Sequence, residues 1–274
     1  MKERFCFQGV KGAYSEALGN KFLSSLGVES KSVNCSSFLE LFEKINEGIL
    51  GVVPIENSNA GSVIECYDLF LKNPELEIIS EEFLKINHVL ASKANSLVDV
   101  KEVISHPQAL SQCSDFLDKH KFVKNSFFDT AGSAKFLSEN NFKEKACICS
   151  EFAAKKYGLN ILDCNIMNSS NNTTRFFIVK NKNYNFEKVL VKKNKTSIAF
   201  ETKDLPSALY KCLGCFAKQN INLTKIESRP KGGENMFSFV FFLDFEGNTS
   251  QKDVSKCLKE LEEYSNNLKV LGSY

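Results

Sequence analysis

One pattern constrains this chain more than any other. An apolar strand-like run, a short polar turn and an amphipathic helix recur from residue 4 to about residue 103, and three times beyond. This alternation is the signature of α/β organisation around a mainly parallel sheet, because parallel strands need a crossover to bring the chain back. The first such unit runs from residues 4–7 through Gly9 and Gly12 into a helix that reaches about Leu23. Two glycines let the backbone turn tightly at the strand end, so the helix N–H groups can face an anion. Their spacing is not that of a dinucleotide fingerprint.

After a helix near residues 37–47 comes a short buried strand, 51–57, broken by a carboxylate, an amide and hydroxyls. Pro54 lacks an N–H and predicts that this strand is an edge or is ending. Glu56 and Asn57 then fall at its carboxyl end, where open α/β sheets bind their ligands. Strands at about 77–83 and 88–91 read as a crossover into a second lobe. There, strand, turn and helix follow one another at residues 103–110, 127–134 and 146–153, with Pro107 at a first helical position. Each strand ends in a hydroxyl or carboxylate able to cap a helix, and for any single turn capping is explanation enough. Five such turns facing one another make a cleft rich in helix N-termini and poor in charged side chains. That cleft suits a small molecule with more than one carboxylate.

Residues 171–179 add a hydroxyl and a guanidinium at the mouth of a buried-looking strand, Thr174 and Arg175. A buried guanidinium needs an anion, and its planar fork suits a carboxylate. On these residues alone the simpler reading is a solvated strand end, with Arg175 pointing into water.

With 274 residues the chain has room for two or three cores, and 43% hydrophobic and 25% charged residues at a net charge of +2 imply no polyanion partner. No nucleic-acid stripe and no apolar run near the ~20 residues of a membrane span are present. The first residues leave no room for a signal-peptide apolar segment, so a cytoplasmic protein with reduced thiols is expected from its ten cysteines. Cys212 and Cys215 have redox or zinc spacing without a second ligand pair, and Cys212 falls on the apolar face of a helix with Leu209, Leu213 and Phe216; core is expected there, and no metal. His88, His106 and His120 are too scattered to argue a site. Residues 180–195 are rich in Lys and Asn and read as a linker. Beyond it the order becomes βαββαβ, with strands at 195–200, 222–228, 236–245 and 268–272 and helices at 206–218 and 254–264. That is a ferredoxin-like module, which selects no function by itself.

Six motifs occur in one order: GVKGAYSEA (9–17), VVPIENS with AGSV (52–63), ISHPQAL (104–110), FDTAGSA (128–134), NTTRF (172–176) and LTKIESRP (223–230). In them the chain resembles monofunctional prephenate dehydratases with a C-terminal ACT domain, over nearly its whole length. The resemblance implies a two-lobed, periplasmic-binding-protein-like α/β catalytic domain at 1–182, with its second lobe at about 84–165. A linker at 183–194 and a ferredoxin-like ACT regulatory domain at 195–274 follow. The implied reaction converts prephenate to phenylpyruvate, carbon dioxide and water; aromatisation drives it, so no cofactor is expected. Thr174 takes the place of the family's catalytic threonine and Arg175 that of a carboxylate clamp. Glu56, Asn57, Ser105 and Gln108 match cleft positions, with Glu56 a general-acid candidate if buried. Phenylalanine is the implied effector, bound between the chains of a homodimer or homotetramer by residues around Ser207, Ala208 and Leu209 and by Glu227, Ser228, Arg229 and Pro230. Ser207 stands where the family commonly has glycine. Several motifs also look like arogenate dehydratases, and a two-lobed sensor without chemistry remains an alternative.

Overall fold

The computed structural model describes residues 2–186, 194–231 and 239–274. Most of the expected linker at 183–194 lies outside these residues, as do positions 236–238 of the expected strand at 236–245. The chain divides into two compact units, one of Met1–Cys66 with Glu82–Ile178, the other of Tyr67–Glu81 with Val179–Tyr274.

The first unit opens with β1 (Glu3–Gln8), α1 (Tyr14–Ser25), β2 (Ser30–Cys35), α2 (Phe38–Asn46), β3 (Leu50–Asn57) and the short β4 (Gly61–Ser62). Next, α3 (Ile64–Lys72) and β5 (Leu76–Lys85) take the chain into the second unit and back. A second series follows: β6 (His88–Ser92), β7 (Glu102–Ser105), α4 (Pro107–Gln112), α5 (Ser114–Lys119), β8 (Val123–Ser126), α6 (Thr130–Glu139), β9 (Lys145–Ser150), α7 (Glu151–Lys156), β10 (Asn160–Asp163) and β11 (Thr173–Asn181). Two lobes result. In the first, the strands stand in the order β2-β1-β3-β11, with β1 parallel to both β2 and β3. In the second the order is β10-β6-β9-β7-β8, parallel between β7, β8 and β9 and antiparallel at β6.

Packing explains the apolar runs. In β9, Ala146 and Ile148 enter one buried cluster while Cys147 and Cys149 enter another, so both faces of the strand are covered. Against β1, helix α1 approaches so closely that a Cβ on Gly19 would lie 2.3 Å from the Phe5 ring. The turns are capped much as the strand ends suggested. Ser37 accepts from the Glu40 amide, Ser150 from that of Ala153, and Asp129 from that of Gly132. One cap shifts by a residue: His106, not Ser105, caps α4 by accepting from the Gln108 amide. Pro54 also departs from expectation. Its strand lies between β1 and β11, and the proline is accommodated because the register to β1 covers only Leu50, Gly51 and Val52.

In the second unit β12 (Lys195–Thr202), α8 (Ala208–Lys218), β13 (Leu223–Pro230), β14 (Phe239–Glu246), α9 (Lys252–Tyr264) and β15 (Ser265–Ser273) give the order βαββαβ. The strands pair antiparallel as β13-β14-β12-β15, which is the ferredoxin-like arrangement. Cys212 and Cys215 are buried in its core beside Phe216, Phe245 and Leu261. Among the described residues no His, Cys, Asp or Glu cluster is disposed to hold a metal, and no helix is long and apolar enough to cross a membrane.

Candidate active site

A cavity of about 250 Å³ opens between the two lobes of the first unit. It is built where strands end and helices begin. Tyr14 is the first residue of α1, Val63 precedes α3, His106 caps α4, and Asp129 and Thr130 open α6; all of them line the cavity. Among the described residues neither Lys nor Arg lines it. Several helix N-termini thus stand along the lining, together with the carboxylate of Asp129, which accepts from the amides of Gly132 and Val10.

Strand alternation decides which of the expected residues reach the cavity. Successive side chains of a strand point to opposite faces, so adjacent Glu56 and Asn57 diverge, as do Thr174 and Arg175. β3 and β11 are neighbours, and the four residues sort into two pairs. Asn57 and Thr174 meet at the cavity, where Asn57 Nδ2 donates to Thr174 Oγ1 at 2.9 Å. Arg175 and Glu56 meet elsewhere, 3.7 Å apart, with the guanidinium buried and stacked 4.8 Å from the centre of the Phe177 ring. Neither lines the cavity. This corrects two expectations: Arg175 is paired within the fold and is not placed as a clamp, and the Glu56 side chain keeps 37% exposure, which removes the burial its general-acid role required. Ser105 is fully buried and donates to the Ile148 carbonyl, tying β7 to β9. It too stays out of the cavity, whereas Gln108 is exposed and lines it.

A chain of hydrogen bonds runs through the cavity wall. Asn57 Oδ1 accepts from the backbone amides of Asn59 and Ala60, each at 3.0 Å, which fixes which way round its amide lies. Asn57 Nδ2 must then donate, to Asn172 Oδ1 at 2.7 Å and to Thr174 Oγ1. Asn172 Nδ2 in turn donates to Gln112 Oε1 at 3.0 Å, and His88 Nε2 lies 3.1 Å from the same oxygen. Because Thr174 Oγ1 already accepts, its own proton is left for the cavity. Sequence reading did not single out Asn172, Gln112, His88 or Tyr14 for the site. Asn172 stood inside the NTTRF motif, and Gln112 follows Gln108 by four residues, one helical turn on.

In the second unit, Ser207 precedes α8 with φ 64° and ψ 15°, the left-handed region where glycine is free of the Cβ penalty. Ala208 is buried and Leu209 lies in the first turn of α8. β12 and β13 both run antiparallel to β14, so their carboxyl ends, and hence Ser207 and Pro230, fall at one end of the sheet. There Arg229 pairs with Asp68 at 3.1 Å and Glu227 with Lys225 at 3.6 Å, while Ser228 faces solvent.

A two-lobed α/β unit with a cavity set among strand ends and helix starts, joined to a ferredoxin-like module, defines a two-domain α/β protein with a small-molecule-sized site. A family model described as prephenate dehydratase matches residues 5–184. Over 265 residues the chain is 40% identical to a prephenate dehydratase of Methanocaldococcus jannaschii, covering 96% of this chain and 95% of that one. Over 285 residues it is 39% identical to arogenate dehydratase/prephenate dehydratase 2 of Arabidopsis thaliana, covering 99% of this chain and 72% of that one. The solved prephenate dehydratase of Arthrobacter aurescens in complex with L-Phe matches with a TM-score of 0.87 at 29% identity, covering 99% of this chain and 89% of that one. The chain belongs to the prephenate dehydratase family.

Burial pulls the His88 imidazole down to about 4 from 6.5, against the opposing pull of its Gln112 hydrogen bond. Between those values the unfolded chain binds a proton that the folded chain refuses. Stability contributed by neutral His88 is therefore lost as pH falls from about 6.5 to about 4, by about 3 kcal/mol in full. Urea denaturation at pH 7 and pH 4.5 should show a larger loss in the wild type than in His88→Gln. Equal losses would contradict this assignment.

Proposed function

We propose that the chain converts prephenate to phenylpyruvate, carbon dioxide and water, as a step of L-phenylalanine biosynthesis in the cytoplasm. The observation that carries this reading is the Thr174 hydroxyl, which accepts from Asn57 and keeps its proton for the cavity. In the reaction the bond from the ring to its carboxylate breaks and that electron pair enters the ring. The C–O bond opposite breaks at the same time, and the departing oxygen must gain a proton to leave as water. Thr174 donates a hydrogen bond to that oxygen and stabilises the charge growing on it. A threonine hydroxyl is too weak an acid to be spent, so the proton comes from solvent water. Aromatisation supplies the driving force and no electron sink is needed. Helix N-termini facing the cavity suit the two carboxylates of this substrate better than solvent-like side chains would. Ten cysteines without a disulfide, nine of them buried, fit a reducing compartment.

Arogenate is the second reading, and Asp129 favours it. The carboxylate of Asp129 in the cavity wall matches an ammonium better than the keto oxygen that prephenate carries in its place. Phenylpyruvate absorbance in alkali reads turnover of prephenate, and phenylalanine release reads turnover of arogenate. Turnover of either substrate should fall about 10²–10⁴-fold in kcat for Thr174→Ala, and much less for Thr174→Ser, which keeps the hydroxyl. No turnover of either substrate by the wild type would leave a sensor without chemistry as the better account. Near-normal kcat in Thr174→Ala would remove Thr174 from the reaction.

The second unit is read as an ACT module that binds phenylalanine between the chains of a homodimer or homotetramer. Its βαββαβ order and the L-Phe complex of the Arthrobacter relative support this. Both charged groups of a free amino acid need partners once they leave water. The start of α8 at Ser207, Ala208 and Leu209, and the end of β13 at Glu227, Ser228, Arg229 and Pro230, would supply them from two chains. Serine at a left-handed position adds bulk and backbone strain where glycine would add neither. Calorimetric titration should therefore show phenylalanine binding that tightens in Ser207→Gly, with an effect on substrate affinity of roughly 5–150-fold. Absence of both heat and activity change in either protein would make the module a dimerisation unit only.

A further inference from the structure

Two groups in the cavity wall are not accounted for by the reaction, His88 and Tyr14. His88 is buried, with 3% exposure, and its imidazole sits between two oxygens. Nδ1 lies 3.0 Å from the Tyr14 hydroxyl, and Nε2 lies 3.1 Å from Gln112 Oε1. Neither oxygen has a hydrogen to give. The one proton of the Tyr14 hydroxyl is donated to the Asn87 carbonyl at 2.7 Å, so this oxygen can only accept from His88. Gln112 Oε1 accepts from Asn172 Nδ2, and turning the Gln112 amide over would set its NH2 against that of Asn172. Turning Asn172 as well would move the same conflict to Asn57, whose Oδ1 is held by the amides of Asn59 and Ala60. A neutral imidazole has one donor and one acceptor, so whichever of its nitrogens is bare sets a lone pair against an oxygen lone pair. The imidazolium donates at both nitrogens and satisfies both oxygens.

We infer that the cavity takes its anion together with a proton, which His88 accepts to become an imidazolium donating to both Tyr14 and Gln112. The proton comes from solvent and enters the bare ring nitrogen. This deepens the dehydratase reading and rests on it for a ligand with two carboxylates. In the empty cavity burial holds the imidazole down to about 4, so His88 is neutral at physiological pH and one of its contacts is unmet. An anion in the cavity that His88 lines favours the charged form, and the second donation adds to that preference. The other titratable groups nearby do not take this place. Burial raises the Tyr14 phenol well above its usual range and pushes the Cys113 thiol up to about 12, so both stay neutral, and the Cys149 thiol is buried on β9. Across the cavity, the Asp129 carboxylate accepts from the amides of Gly132 and Val10, and His106 Nδ1 from that of Gln108.

The probe is tetrahydroprephenate, a dicarboxylate whose ring lacks the two double bonds of prephenate and so cannot become aromatic by losing carbon dioxide and water. Calorimetric titration of the wild type at pH 6, in buffers of small and of large ionisation heat, should show uptake of about half to one proton per chain bound. Because the complex holds the extra proton, affinity should fall about three- to tenfold from pH 5.5 to pH 6.5, and stay level in His88→Gln. Nitrogen-15 NMR of histidine-labelled wild type needs no variant of His88 to fold, since His106→Gln and His120→Gln assign its signals by elimination. Both ring nitrogens of His88 should be protonated in the complex, and one in the free protein. Binding without proton uptake would overturn the inference, as would a bare ring nitrogen of His88 in the complex, uptake that persists in folded His88→Gln, or no binding at all. Turnover is read separately. Turnover of prephenate or arogenate with no proton uptake removes this inference alone, and uptake with turnover of neither substrate removes the dehydratase reading alone.

Discussion

The two hydrogen bonds from the backbone amides of Asn59 and Ala60 to Asn57 Oδ1 set the direction of everything else in the cavity. Backbone N–H groups can only donate, so Asn57 cannot turn over without facing its NH2 against two donors. Turning it over would lose both of these bonds and set donor against donor. From this fixed end the polarity passes to Asn172, Gln112 and Thr174. The outcome is a wall in which the Thr174 hydroxyl faces a space that, among the described residues, no Lys or Arg lines. That leaves Thr174 able to strengthen its hydrogen bond as charge grows on the departing oxygen.

The fold brings this about through the placement of β3 and β11 side by side. Asn57 closes β3 and Thr174 stands at the second position of β11, and the strand ends are tied further by Ser58 N to Thr173 O at 2.9 Å. The second lobe is bound to the same point, since Ile86 N donates to the Asn172 carbonyl at 2.8 Å just before β6 begins. Asp129 makes another tie, capping α6 in one lobe while accepting from Val10 in the other. Groups that line the cavity therefore also join its two sides, which limits how far they can drift from one another.

Much of this was legible in the sequence. The strand, turn and helix order of both lobes, the βαββαβ order after them, and the burial of Cys212 all follow from period and from turn residues. Pro54 misled because the sequence shows its missing N–H but not where the pairing to β1 stops. Arg175 misled for a different reason. Adjacent residues at a strand mouth look like one site in the text, yet the pleat sends them to opposite faces, and Glu56 pairs with Arg175 by the same parity that pairs Asn57 with Thr174. Gln112, Asn172 and His88 are separated by dozens of residues from one partner or another, and a hydrogen-bonded chain across two lobes has no spacing to read. Ser207 shows the reverse case: its departure from glycine was visible in the sequence, and its φ of 64° supplies the physical reason glycine suits that position.

The central claim is that Asn57 acts on the reaction through the Thr174 hydroxyl. A double-mutant cycle of Asn57→Ala and Thr174→Ala, read in kcat with folding checked by circular dichroism, tests it most directly. Residues acting as one unit are strongly non-additive, so the double variant should be little slower than Thr174→Ala alone. Losses that simply multiply would contradict the account, because Asn57 would then contribute by a route that does not pass through Thr174.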